Sequence, residues 1–197
     1  MPKVTEEYRD ARRQEIADAA LRVFRRRGFQ AASMAEIIAE SGMSAGAIYG
    51  HFRSREEIVH DVAGRVIGAR IADVEQLATL EPMPAPRTVV RTMIAGLERE
   101  VGDLGAIVQL WGEAITDPAI RELAAGIYRR MSTVMAGYLA TWHEQVQGRT
   151  PEQAATLARA QVPLFVAAIQ SYTLTGALVD DFDREAYLTA IEAHLPG

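Results

Sequence analysis

A chain of 197 residues without cysteine cannot form disulfides or thiolate metal sites, and it is long enough to bury one or two hydrophobic cores. Its N-terminus lacks the apolar stretch of a signal peptide, and no apolar run approaches the roughly 20 residues that span a bilayer. The net charge of −5 is uneven, because residues 1–55 carry 10 Lys and Arg against 7 Asp and Glu, whereas the other 142 residues carry 11 against 19. The sequence therefore predicts a cytoplasmic protein with no membrane partner, whose first region faces phosphate groups.

Apolar residues recur at spacings of three and four along the chain, and no stretch alternates with a period of two. This pattern predicts an all-α fold of about nine helices. The first helix is expected from about residue 8 to residue 27. Its apolar stripe includes Ile16 and Phe24, and Gly28 is expected to end it.

Two short helices follow, and their junction has the geometry of a helix-turn-helix. Ser33 and Glu36 form a predicted capping box that opens the first of them, and Gly42 ends it. Ser44 caps the second, over residues 45–52, and leaves its N-terminus open to solvent. That end carries a partial positive charge and free N–H groups, which suit a phosphate or a base edge.

The rest of the chain is predicted to be helical, with one break. A long helix over 55–80 begins at a second capping box, Ser54 to Glu57, and ends before three prolines within residues 82–86. Further helices are expected near 87–102, 104–115, 118–147, 151–179 and 184–195. We therefore predict a three-helix DNA-binding domain over 1–55, a connecting helix over 55–80, and a helical bundle over 81–197 for effector binding and dimerisation.

The stretch from Ile16 to Ile58 resembles the N-terminal domain of the tetracycline-repressor (TetR) family of transcriptional regulators. The resemblance rests on many spaced matches, which makes it far more specific than an isolated tripeptide. The matching residues are the apolar set from Ile16 to Phe24, then Gly28-Phe29, Ser33, Ile37, Gly42-Met43-Ser44, Gly46, Ile48-Tyr49, His51-Phe52 and Ser54-Arg55-Glu56.

The resemblance implies a role in DNA binding for the residues around the turn. Hydroxyl, imidazole and guanidinium groups would bind phosphates, and the first turn of the third helix would face base edges in the major groove. The DNA-binding candidates are Ser33, Tyr49, His51 and Arg55 for phosphates, and Ser44, Ala45, Gly46 and Ala47 at the groove-facing end of the helix.

The groove-facing surface departs from the family pattern. Family members often carry polar or basic side chains at positions where this chain has Ala45 and Ala47. A methyl group touches thymine but makes no bidentate hydrogen bond to a base. We therefore expect specificity to rest on thymine methyls, on DNA shape, and on an N-terminal arm that carries Arg9, Arg12 and Arg13.

The C-terminal half contains aromatic and Met side chains that suit an apolar pocket between helices, although each one alone is more often core than ligand contact. Polar residues on otherwise apolar helices are more informative, because a buried polar group needs a partner and a ligand is one possible partner. The effector expected is a small apolar or amphipathic molecule. The effector-binding candidates are Met93, Leu97, Gln109, Trp111, Glu113, Tyr128, Met131, Phe165 and Gln170.

A homodimer is expected, because a helix-turn-helix protein needs two copies to read two half-sites about one DNA turn apart. Small residues such as Ala167 and Ser171 permit close packing of the helix over 151–179. In the TetR family the last two long helices form the dimer interface. The resemblance therefore implies that helices 151–179 and 184–195 form it here.

The sequence contains no pattern of a catalytic or metal site. The four His residues have no metal-ligand spacing, and no Gly-rich phosphate loop occurs. We predict no enzyme, no cofactor and no metal. The predicted function is a ligand-responsive repressor that binds a palindromic operator as a homodimer and is released by its effector. Two alternatives stay open: a constitutive DNA-binding protein without an effector, and a helical lipid-binding protein or enzyme.

Overall fold

The computed structural model describes residues 6–28 and 31–196, and every regular element within them is an α-helix. The all-α prediction and the count of nine helices are confirmed for those residues. Phe29, one of the residues that carried the family resemblance, lies outside the described ranges. The helices are α1 (Glu6–Arg27), α2 (Met34–Ser41), α3 (Ala45–Tyr49), α4 (Arg55–Ala78), α5 (Pro86–Val101), α6 (Leu104–Thr116), α7 (Pro118–Gln145), α8 (Pro151–Leu178) and α9 (Arg184–His194).

Local capping fixes most helix ends where the sequence predicted them. Ser33 accepts a hydrogen bond from the Glu36 backbone N–H while the Glu36 carboxylate accepts from the Ser33 N–H, and Thr150 forms the same reciprocal box. Gly28 and Gly42 adopt φ values of +78° and +68° after α1 and α2. Left-handed backbone of this kind favours glycine and stops a helix.

Two predicted details were wrong. Helix α3 ends at Tyr49 rather than at residue 52, and beyond it the N–H groups of His51 and Phe52 both donate to the carbonyl of Ile48. At the start of α4, Ser54 accepts from the Glu57 N–H, but the Glu57 carboxylate accepts from the N–H of Arg53 instead of Ser54. In the second capping box, the carboxylate therefore binds the residue before the N-cap instead of the N-cap itself.

The first compact unit consists of the described residues up to 65 together with residues 109–124. Helix α1 packs against α2. The core takes Ile16 and Val23 from α1, Ile37 from α2, Ile48 from α3 and Phe52 from the turn after it, and all five side chains are fully buried. The predicted apolar stripes of these helices therefore do face a core.

The second compact unit consists of residues 66–108 and 125–196. Its core is rich in aromatic residues, and the Tyr172 ring packs edge-on against Phe182 and Tyr187 with centroids 5.4 and 5.6 Å apart. Met93, Trp142 and Phe165 belong to the same buried cluster. Helices α4, α6 and α7 each contribute residues to both units. The functional division at residues 55 and 81 stays a prediction.

Within the described ranges, none of the helices combines the length and the apolar character that crossing a membrane requires.

Candidate nucleic-acid interface

The turn between α2 and α3 is fixed by hydrogen bonds that the sequence supplies locally. The Ser41 hydroxyl donates to the carbonyl of Ile38 and accepts from the N–H of Met43 at 3.1 Å. Gly42 between them takes the left-handed conformation. Ser44 then caps α3 by accepting from the Ala47 N–H at 3.2 Å. The chain therefore reverses within a few residues and α3 begins at a defined point.

The first turn of α3 presents a surface of small, exposed residues. Ala45, Gly46 and Ala47 are all exposed, and a Cβ added to Gly46 would have no neighbour within 4 Å. Tyr49 at the end of the helix is 52% exposed, while Ile48 beside it is fully buried. The helix is anchored by one side chain and accessible along the rest, so that a DNA groove could approach it closely.

Ser33 lies at the N-terminus of α2 within a small polar cluster. Its hydroxyl donates to Glu36 Oε2 at 3.0 Å, and Arg27 Nε donates to Glu36 Oε1 at 2.9 Å. Hydrogen bonds from the Ser33 backbone, then from the Arg27 and Ser33 side chains, lower the pKa of Glu36 to about 2. Ser33 is exposed but already engaged, so a phosphate there would share its hydroxyl with the cap.

The arginine run at the end of α1 lies among carboxylates. Arg22 Nε donates to Glu40 Oε1 at 2.7 Å, and Arg26 donates to Glu40 Oε2 at 3.0 Å. Their hydrogen bonds lower the pKa of Glu40. These exposed ion pairs join α1 to α2. The positive charge at this end of α1 is therefore paired with a carboxylate of α2.

The arginines of the predicted N-terminal arm, Arg9, Arg12 and Arg13, all lie in α1, and their contact with DNA stays a prediction. Arg13 donates to the His51 carbonyl at 2.8 Å and to Asp61 Oδ1 at 2.7 Å. Its guanidinium also lies 4.1 Å from the centre of the Phe52 ring. Arg13 therefore fixes the turn that carries His51, a half-buried phosphate candidate.

Arg55, the fourth phosphate candidate, is held near α2. Its Nε donates to the Ala32 carbonyl at 2.7 Å, and its Nη1 lies 3.7 Å from Glu113 Oε1. The Arg55 side chain is 16% exposed. Because Ala32 precedes Ser33 in the chain, the Arg55 guanidinium lies beside another predicted phosphate contact.

The effector candidates divide between the two units. Met93, Leu97 and Phe165 are buried in the second unit, where Met131 packs against the same core. Tyr128 and Gln170 belong to that unit but are exposed. The three α6 candidates, Gln109, Trp111 and Glu113, belong to the first unit. Their role in effector binding stays a prediction.

Two buried polar groups of the second unit were not predicted. Arg70 is 2% exposed, with its Nε 2.9 Å from Asp73 and its Nη2 3.4 Å from Glu100. His143 is 3% exposed, and its ring nitrogens each lie 2.9 Å from a Gln side-chain oxygen, of Gln147 and of Gln161. The spacing of Arg70 and Asp73 on one helix face was a usable signal. In the described part of the chain, no three His, Asp or Glu side chains are arranged to hold a metal ion.

Sequence likeness to known proteins concentrates on the helix-turn-helix. Residues 16–62 match the family profile described as bacterial regulatory proteins, tetR family. The uncharacterized HTH-type transcriptional regulator YfiR of Bacillus subtilis is 47% identical over 57 residues, which are 29% of this chain and 28% of YfiR. The HTH-type transcriptional repressor Rv1474c of Mycobacterium tuberculosis is 34% identical over 95 residues, 48% of this chain and 47% of that protein. The match thus spans less than half the length of either relative.

Likeness of fold extends much further than likeness of sequence. The transcriptional regulator FadR from Bacillus subtilis, solved in complex with stearoyl-CoA, superposes with a TM-score of 0.71. The superposition covers 93% of this chain and 97% of FadR at 18% sequence identity. At that identity the comparison concerns the arrangement of helices alone.

Proposed function

Because the chain belongs through residues 16–62 to the tetR family of bacterial regulatory proteins, we propose that it regulates transcription by binding double-stranded DNA through α3. This membership confirms the family resemblance of Ile16 to Ile58. The observation that carries the proposal is the exposed first turn of α3, from Ala45 to Ala47, on a helix anchored by the buried Ile48. Such a helix offers short side chains and its own backbone to base edges.

The groove-facing role of α3 is tested by selecting duplexes from a random-sequence library with the wild-type protein and with Ala47→Gln. The wild type is expected to enrich an inverted repeat, since a dimer places two recognition helices about one DNA turn apart. A glutamine at 47 can hydrogen-bond adenine and should change the preferred base in each half-site. Ala119→Gln, at an exposed position of α7, is the matched control. An unchanged preference in Ala47→Gln would show that residue 47 does not face the bases.

We also propose that Ser33, Tyr49 and His51 on the same surface bind DNA phosphates. Tyr49 is 52% exposed, so nothing in the core depends on its hydroxyl. We expect Tyr49→Phe to weaken binding to the selected duplex about threefold while leaving the folding stability unchanged. Tyr128→Phe removes the hydroxyl of another exposed tyrosine, 42% exposed, and should leave DNA binding unchanged.

A homodimer through α8 and α9 is supported by the outer face of α8. The side chains of Leu164, Ala167, Ser171, Leu174 and Leu178 are exposed and follow one another at spacings of three and four. The opposite face of α8 is buried in its own core. An apolar stripe at this spacing suits packing against a second helix, as in coiled coils.

Sedimentation equilibrium of Leu178→Glu tests this interface, because Leu178 is 68% exposed and a charge there would be buried in the dimer. We expect the variant to be monomeric and to lose affinity for the selected duplex. Leu80→Glu adds the same charge at a 46% exposed leucine just beyond α4 and should stay dimeric. A dimeric Leu178→Glu would place the interface elsewhere.

We further propose that a small amphipathic molecule binds the second unit and releases the protein from its operator, as a repressor. The apolar cluster around Met93 and Phe165, and the presence of stearoyl-CoA in FadR, support this ligand class. The expected result with stearoyl-CoA is a raised melting temperature together with loss of the selected duplex, with free coenzyme A as the control. A raised melting temperature without DNA release would favour a lipid-binding protein. No stabilisation by acyl-CoAs, fatty acids or aromatic compounds would favour a constitutive DNA-binding protein.

A further inference from the structure

Helix α6 carries two polar side chains, Gln109 and Glu113, that lie four residues apart and therefore on one helix face. Gln109 lies against the end of α1, because a Cβ added to Gly28 would come 2.7 Å from Gln109 Oε1. Gly28 also has a φ of +78°. The backbone conformation therefore favours glycine at residue 28, and the end of the Gln109 side chain lies where a Cβ would stand. This face of α6 is directed at the helix-turn-helix unit.

Glu113 on the same face meets the guanidinium of Arg55. The distance from Glu113 Oε1 to Arg55 Nη1 is 3.7 Å, and the two side chains are 21% and 16% exposed. Arg55 Nε is bound to the carbonyl of Ala32 at 2.7 Å, next to Ser33. The carboxylate of Glu113 is thus close to the cation that the proposed DNA-binding surface needs for a phosphate.

We propose that Glu113 is an autoinhibitory residue, whose carboxylate competes with a DNA phosphate for the Arg55 guanidinium. The inference rests on the proposed DNA-binding function and adds a residue outside the helix-turn-helix to it. A phosphate that approaches Arg55 either displaces Glu113 or is repelled by it, because both groups are anions. The low exposure of the two side chains weakens screening by salt, so the competition persists at physiological ionic strength.

The test measures the affinity of Glu113→Gln for the duplex selected by the wild-type protein, over a series of salt concentrations. Removal of the carboxylate is expected to tighten binding about threefold to tenfold. The slope of log K against log salt should become steeper by about 1.8 for the dimer, because each of its two Arg55 side chains then neutralises one more phosphate. A purely structural role of Glu113 would leave this slope unchanged.

Four further variants, one of them a double mutant, isolate the ion pair. Glu122→Gln removes the same charge from an exposed position of the first unit and should change neither affinity nor slope. Arg55→Gln should weaken binding, and in that background Glu113→Gln should have no further effect, as a double-mutant cycle requires for a direct interaction. Glu113→Ala repeats the measurement without the amide, and circular dichroism melts show that each variant is folded.

The outcomes separate the inference from the function on which it rests. Wild-type protein that selects no duplex contradicts the proposed DNA binding. If the wild type binds DNA but Glu113→Gln and Glu113→Ala bind it more weakly than the wild type, the autoinhibitory role is wrong. It is also wrong if the effects of these two variants equal that of Glu122→Gln. An effect of Glu113→Gln that persists in the Arg55→Gln background overturns it as well.

Discussion

Each compact unit contains an arginine site, and the two sites differ in how far they are buried. In the first unit, Arg22, Arg26 and Arg27 are between 51% and 59% exposed and pair with Glu36 and Glu40 at the surface. In the second unit, Arg70 is 2% exposed and pairs with Asp73 and Glu100 under the protein surface. Exposed pairs contribute little to stability, whereas a buried charge that loses its partners is costly. Substitutions at the Arg70 site should therefore affect folding stability more than substitutions at the exposed pairs of the first unit.

The largest expected effect is that of Phe165→Ala in the second unit. Phe165 is fully buried in the aromatic core, so its removal leaves a cavity and should lower the free energy of unfolding by about 3–5 kcal/mol. Urea denaturation measures this, with Val146→Ala, at a 53% exposed position, as the control. A loss below about 1 kcal/mol would contradict the role of Phe165 as a well-packed core residue.

A second substitution tests the buried arginine through its neighbour Gly96. A Cβ at residue 96 would come 2.2 Å from Arg70 Nη1 and 2.3 Å from its Cζ, so the buried guanidinium would have to move away from its carboxylates. We expect Gly96→Ala to destabilise the protein by about 2 kcal/mol. The matched control is Gly68→Ala in α4, where an added Cβ meets nothing within 4 Å. That variant should be more stable by about 1 kcal/mol, since alanine favours a helix. Equal effects at both positions would contradict the account of Arg70.

Tyr172→Phe should have a smaller effect, about 1 kcal/mol, through loss of the hydrogen bond that its hydroxyl donates to Glu98 Oε1 at 2.8 Å. Burial, together with this hydrogen bond, raises the pKa of Tyr172 to about 12 from its usual 10. Below pH 10 the neutral Tyr172 hydroxyl makes its full contribution to the stability of the fold. This contribution is lost as the pH rises from 10 to about 12. Alkaline melts of wild type and Tyr172→Phe should converge over that range. If the two curves stay parallel, Tyr172 is not titrating in the folded protein.

The smallest effect on folding is expected in the first unit, from Glu36→Gln. The low pKa of Glu36, about 2, means that its ionised form stabilises the fold above pH 4.5, and that this contribution is lost as the pH falls from 4.5 to about 2. The variant should melt slightly below the wild type at pH 7 and together with it near pH 2. Glu75→Gln, an exposed glutamate in α4, should show no such dependence. If the variant and the wild type still melt at different temperatures at pH 2, the effect does not come from the charge of the Glu36 carboxylate.

Helix ends were predictable because the groups that set them are close in sequence. Ser33 and Glu36 are three residues apart, and Gly42 acts through its own backbone. The Arg70 site was not predictable in the same way, because Gly96 and Glu100 come from another helix and only the fold brings them to Arg70. Local signals therefore define the helix-turn-helix better than they define the second unit.

The polar residues of α6 show what a pattern can and cannot specify. Gln109 and Glu113 on an apolar helix indicated that each has a polar partner. The sequence did not identify that partner, and it led to the prediction that both residues bind a ligand. The structure places Gln109 against Gly28 and Glu113 near Arg55, far along the chain in both cases. Their proximity depends on tertiary packing that periodicity does not encode.

Hydroxyl-radical footprinting of the selected duplex tests the central claim most directly, which is that two α3 helices of one dimer read two half-sites. The account predicts two protected patches on the same side of the duplex with centres about 10 bp apart, both lost in Leu178→Glu and retained in Leu80→Glu. A single patch, protection without a preferred position, or a footprint that Leu178→Glu leaves intact would contradict it.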